Sequence, residues 1–131
     1  MFVLDTNTVL DYFKGKGRVA ERLLATTPSE VAVPAISAYE VWVGVLGSQN
    51  PKRRREQFDS FLSVVEILPF DAEAGMRAAE LRYKLERVGE GIGPLDTLIA
   101  ATALVYGGVL VTRNVREFSR VTGLKTVNWH D

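Results

Sequence analysis

The stretch Met1-Phe2-Val3-Leu4-Asp5-Thr6-Asn7 decides the fold. A short apolar run ends in a carboxylate and two small hydrogen-bonding residues, and a helical pattern begins just after it. Residues 2–5 therefore read as a buried strand with Asp5 at its carboxyl end. Open α/β sheets bind their ligands at that edge, outside the carboxyl ends of the strands. Acidic or amide residues recur at comparable junctions: Glu40, Asp96 and the Asn114/Glu117 pair.

The rest of the chain alternates in the same way. Residues 7–14 and 18–26 read as two short helices broken by Gly15 and Gly17. Val31-Ala32-Val33 is a strand bounded by Pro28 and Pro34. Residues 37–47 carry Ala38, Val41, Val45 and Leu46 at helical spacing, and Gly47 ends that helix. Pro51 opens a helix with Phe58, Phe61 and Leu62 on its apolar face. Val64 to Phe70 is strand-like, and residues 72–88 form the longest helical pattern, with Met76, Ala79 and Leu81 expected inward. A glycine-rich loop, 89–93, leads to an apolar helix from Pro94 through Val105, closed by Gly107-Gly108. Val109-Leu110-Val111 is a buried strand and Thr126-Val127 a short final one. Strands separated by helices imply right-handed crossovers and a mostly parallel sheet covered on both faces.

The bulk numbers agree with this class. The chain has 131 residues, room for one domain spanning 1–131 with a real core. Hydrophobic residues are 47% and charged residues 24%, a globular balance. No apolar stretch approaches bilayer length and no signal-peptide pattern opens the chain, so a cytoplasmic location is expected, with no membrane partner. Cysteine is absent, which excludes disulfides, a thiol nucleophile and thiolate metal sites. Sixteen Lys+Arg balance sixteen Asp+Glu. If four of those acids converge on a cation, the remaining surface is mildly basic, so neutrality does not argue against an RNA substrate.

In a parallel sheet the strand ends and the helix starts that follow them gather on one edge, so Asp5, Glu40, Asp96, Asn114 and Glu117 can meet. Clustered carboxylates repel one another. A hard cation such as Mg²⁺ or Mn²⁺ removes the conflict and supports phosphodiester chemistry. Each residue also has a plain helix-capping explanation. Ser37-x-x-Glu40 and Asn114-x-x-Glu117 are capping boxes by spacing. Asp96 complements a helix dipole, and Asp5 is a natural N-cap. The two roles are compatible, because a helix start can both use a carboxylate and orient it.

The ordered set Leu4-Asp5-Thr6-Asn7, Ser37-Ala38-Tyr39-Glu40, Ile92-Gly93-Pro94-Leu95-Asp96-Thr97-Leu98-Ile99-Ala100-Ala101 and Leu110-Val111-Thr112-Arg113-Asn114-Val115-Arg116-Glu117-Phe118, with Gly123-Leu124 to Asn128-Trp129, resembles the PIN-domain family. Within it, the chain is similar to the VapC toxins of type II toxin–antitoxin pairs. The resemblance runs in order over essentially the whole chain. It implies a three-layer α/β/α sandwich on a sheet of four to five strands, and a Mg²⁺- or Mn²⁺-dependent endoribonuclease. It assigns the metal to Asp5 and Asp96 with Glu40, the last orienting or deprotonating the attacking water. Asn114 stands where the family often has Asp, and Asn114 and Glu117 complete the outer shell. Thr6 and Thr112 bond the carboxylates or a substrate phosphate. It further implies a VapB-like antitoxin held by a groove of the early helices, DNA reached only through that antitoxin, a homodimer, and a structured RNA target, transfer RNA ahead of ribosomal RNA.

Arg113 and Arg116, beside the acidic junction, are candidates for phosphate contact. Lys14, Lys16 and Arg18 are placed at the border of the same cleft. The run Lys52-Arg53-Arg54-Arg55 reads as a solvated face. Tyr12, Phe13, Tyr39 and Trp42 read as core or interface. His130, the only histidine, reads as an exposed tail residue without a catalytic role. A binding module of the same fold, acting with a DNA-binding partner in transcriptional autoregulation, is the alternative function. A phosphatase with Asp5 as nucleophile is disfavoured, because Asn7 breaks the Asp-x-Asp pattern.

Overall fold

The computed structural model describes residues 1–131. Five short strands, β1 Phe2–Leu4, β2 Val31–Pro34, β3 Glu66–Leu68, β4 Val109–Val111 and β5 Lys125–Val127, form one sheet in the order β3-β2-β1-β4-β5. Every neighbouring pair is parallel, with Leu4 opposite Val111 and Val3 opposite Ala32. The helices are α1 Thr6–Lys14, α2 Val19–Leu24, α3 Ala35–Leu46, α4 Pro51–Leu62, α5 Ala72–Arg87, α6 Pro94–Tyr106 and α7 Val115–Phe118. A 3-10 turn at Pro28–Glu30 leads into β2.

Strand alternation sends neighbouring side chains into two separate cores. Leu4, Val31, Val33 and Val111 face a cluster with Val9, Val41 and Phe58 from α1, α3 and α4. Val3, Ala32 and Leu110 face the opposite cluster with Leu81, Ile99 and Phe118 from α5, α6 and α7. This produces the expected three layers. It also explains the apolar triplets: a strand buried on both faces has no polar position to alternate with.

The chain order places a switch point at the centre of the sheet. From β1 it moves outward to β2 and β3, then returns across α5 and α6 to β4 on the other side of β1. Connections leaving β1 and β4 therefore diverge to opposite faces and open a crevice at the carboxyl edge, the binding position of doubly wound sheets.

The structure corrects several expectations. Residues 64, 65, 69 and 70 lie outside β3. Met76 and Ala79 are exposed; Ala74, Ala78, Leu81 and Leu85 form the inward face of α5, the alanines allowing close approach to α6. Leu46 is also exposed rather than inward. The third helix begins at Ala35 behind Pro34, so Ser37 is not its cap and Glu40 lies in its second turn. The Ser37 hydroxyl is buried without a hydrogen-bond partner.

Candidate active site

Asp5 stands between β1 and α1 and belongs to both. Its main-chain N–H extends the strand ladder to the Val111 carbonyl at 3.1 Å. Its carboxylate accepts from the Thr8 main-chain N–H at 2.9 Å and so caps α1. The fully buried Thr112 hydroxyl lies beside the same carboxylate and accepts from the Asn114 main-chain N–H at 3.0 Å. One carboxylate is thus fixed by residues that follow β1 and β4, on both sides of the switch point. Burial raises the Asp5 pKa by more than the hydrogen bonds from Thr112 and Thr8 lower it.

Asp96 lies in the first turn of α6, and the loop glycine Gly93 packs against it: a Cβ at Gly93 would sit 3.4 Å from its carboxylate oxygen. Its pKa is pushed up to about 6, first by burial and then by the negative charges of Glu117, Asp5 and Glu40. Four carboxylates from four separated segments therefore share one electrostatic neighbourhood.

Glu40 is oriented by Thr6, whose hydroxyl donates to it at 2.6 Å. Glu117 accepts from the Gly93 N–H at 3.4 Å on one oxygen and from the Asn114 side-chain amide on the other. Asn114 is accordingly not a side-chain cap of α7, as its spacing suggests; it holds Glu117 instead. Arg113 and Arg116 are exposed beside this group and lie in no ion pair. No three carboxylates close into a tight cluster by themselves. An all-oxygen donor set with mutual repulsion fits a hard divalent cation.

Residues 2–124 match the PIN domain family model. The chain belongs to the PIN-domain family. Among its relatives is the tRNA(fMet)-specific endonuclease VapC of Shigella flexneri, 33% identical over 128 residues, spanning 98% of this chain and 97% of the relative. Two solved structures superpose closely. VapBC from Salmonella typhimurium, DNA-bound, has a TM-score of 0.90 at 33% identity, covering 98% of this chain and 97% of that one. VapBC2 from Rickettsia felis, bound to a DNA fragment from its promoter, has a TM-score of 0.89 at 32% identity, covering 98% of both chains.

Away from the carboxylates, this PIN domain carries an apolar groove of about 590 Å³ between α1, α3 and α4. Leu10, Phe13, Val41, Val45 and Phe58 line it, with Lys14 and Arg54 among its polar residues. Lys14 therefore belongs to this groove, not to the acidic cleft, and Arg18 is paired with Glu21 at 2.9 Å. Both follow from the direction of α1, which runs away from Asp5 for nine residues.

His130 is not an exposed tail residue. It is 9% exposed, and its Nδ1 lies 3.2 Å from a carboxylate oxygen of the buried Asp11. After β5 the chain turns back over the first core, packing Trp129 against Phe2 with tilted rings whose centroids are 5.2 Å apart. The His130 carbonyl then accepts from the Arg18 N–H at 3.1 Å. Gly17 makes this approach possible: its φ is +61°, and a Cβ there would come within 2.7 Å of that carbonyl. Sequence reasoning missed this pair because its partners are far apart in the chain. It also missed Thr8, although Asp5-x-x-Thr8 has capping spacing.

Proposed function

We propose that this chain is a metal-dependent endoribonuclease, the toxin of a type II toxin–antitoxin pair. The observation that carries the reading is the convergence of Asp5, Glu40, Asp96 and Glu117, from four separated segments, on the carboxyl edge at the switch point of the sheet. Asp5 and Asp96 would hold Mg²⁺ or Mn²⁺ most directly, with Glu40 beside them. The bound ion supplies positive charge to a phosphodiester and lowers the pKa of water.

The chain's own residues supply orientation and proton transfer. Thr6 holds one oxygen of Glu40, which leaves the other to orient a water and accept its proton. Thr112 and the Thr8 N–H fix the Asp5 carboxylate. Asn114 and Glu117 form an outer shell, with Glu117 tying the Gly93 loop beside Asp96. Arg113 and Arg116 meet substrate phosphates. The groove of α1, α3 and α4 suits an apolar segment of a VapB-like antitoxin. Tyr39, Val43 and Leu46 expose apolar surface along one side of α3, suited to a second copy in a homodimer. The cytoplasm is the expected location; no helix is long and apolar enough to cross a membrane.

A structured RNA is the proposed substrate, with transfer RNA favoured by the relative named for tRNA(fMet) cleavage. Brief induction in cells, followed by mapping of new RNA 5′ ends, tests this. One dominant cut in one RNA species supports it, and unchanged ends contradict it. The second reading, a binding module that reaches DNA through its partner, draws on the relatives solved bound to DNA. It predicts unchanged RNA ends together with intact partner and promoter binding.

A further inference from the structure

On the α5/α6 side of the sheet lies a second cavity, of about 200 Å³, with a different character. Leu81, Leu85 and Leu104 supply its apolar lining, and Arg77, Lys84 and Arg120 its cations. Glu80 is the one carboxylate among the lining residues, so two positive charges stand unbalanced. None of the three cations has a carboxylate within ion-pair distance. The same helix does satisfy its other cations: Arg82 pairs with Glu86 at 2.5 Å, and Arg87 lies 5.5 Å from the centre of the Tyr83 ring. Pairing one turn along a helix is readily achieved. Three cations left without a carboxylate partner around one concavity instead concentrate positive potential there.

The cavity is tied to the candidate active site. Arg120 donates to the Gly91 carbonyl at 3.3 Å, in the loop that delivers Asp96. Arg113 and Arg116 stand at the start of α7, and Arg120 follows just beyond its end, so α7 joins the acidic edge to the cavity.

We propose that Arg77, Lys84 and Arg120 bind a backbone phosphate of an RNA strand whose scissile bond lies at the carboxylate edge. The proposal rests on the ribonuclease reading above. Guanidinium groups suit phosphate because they donate in a planar fork. A polyanion fits better than a lone phosphate, because free cations continue along α7 toward the carboxylates. Contacts of this kind set position and affinity without reading sequence.

The test uses the full chain and a labelled transfer RNA in chelator, so that binding is read without cleavage. Arg77→Ala/Lys84→Ala removes two side chains that make no hydrogen bond or ion pair, which spares the fold. Binding should weaken roughly tenfold, and the slope of log affinity against log salt should shrink by about 1.4–1.8. Lys52→Ala/Arg53→Ala, an equal charge change on α4, should leave affinity within about twofold of wild type and the salt slope unchanged to within about 0.5. Equal loss from the α4 pair would overturn the proposal in favour of general charge. Unchanged RNA binding by the α5 pair would overturn it too, whether the cavity then takes inorganic phosphate alone or an acidic peptide. The ribonuclease reading fails separately, if wild type binds RNA with the full salt slope and cleaves none under Mn²⁺.

Discussion

Asp11 is a buried acid and Asp96 a half-buried one, and they are held on opposite terms. Asp11 faces the imidazole of His130 at 3.2 Å. Asp96 faces Glu117, Asp5 and Glu40, and its pKa rises to about 6. The fold can evidently bring a partner to a buried carboxylate across more than a hundred residues, as it does for Asp11. At the carboxyl edge it gathers like charges instead. Repulsion maintained at a switch-point crevice marks a candidate functional site, and the cation proposed above would supply the charge that relieves it.

Substitution at the acidic edge should produce the largest effect. Asp5→Asn or Asp96→Asn should lower RNA cleavage by more than about 100-fold, since even residues behind metal ligands contribute 10–100-fold. Asp96→Asn should at the same time stabilise the metal-free protein by about 1–2 kcal/mol after solvent screening. Parallel cleavage assays and chemical denaturation would read both. A loss of stability together with activity would mean that Asp96 is structural.

Thr6→Val keeps the shape of the side chain and removes the 2.6 Å bond to Glu40. Cleavage should drop about 10-fold, as for loss of an orienting contact, with the melting temperature little changed. His130→Ala should do the reverse. It leaves Asp11 buried without a partner and should cost about 1–3 kcal/mol in denaturant unfolding, with kcat unaltered.

The smallest effect is on pH dependence. The folded-state pKa of Asp96 is about 6 against an ordinary 3.8, so between these values the folded chain keeps a proton the unfolded chain has lost. Metal-free stability should therefore fall as pH rises from about 4 to 6. Asp96→Asn should flatten that slope, and Mn²⁺ should raise the melting temperature above pH 6.

Residues whose roles are set locally were the legible ones. The apolar triplets at 2–4, 31–33 and 109–111 declare strands buried on both faces, and from their alternation with helices the junctions at Asp5, Asp96 and Asn114 follow. Glu40 was read as the far end of a Ser37-x-x-Glu40 capping box, whereas Pro34 already starts the helix and leaves Glu40 in its second turn. The inward face of α5 was misread because small alanines, not Met76, set the approach to α6. His130 was illegible for a tertiary reason: its burial depends on Gly17 admitting the returning chain, which has no periodic signature.

The most direct test is cleavage of purified transfer RNA by the antitoxin-free protein, with Mn²⁺ and with chelator, alongside Asp5→Asn and Asp96→Asn. Mn²⁺-dependent cleavage lost in both variants is the predicted result. Cleavage that persists in chelator or survives both substitutions would contradict a cation centre on these carboxylates.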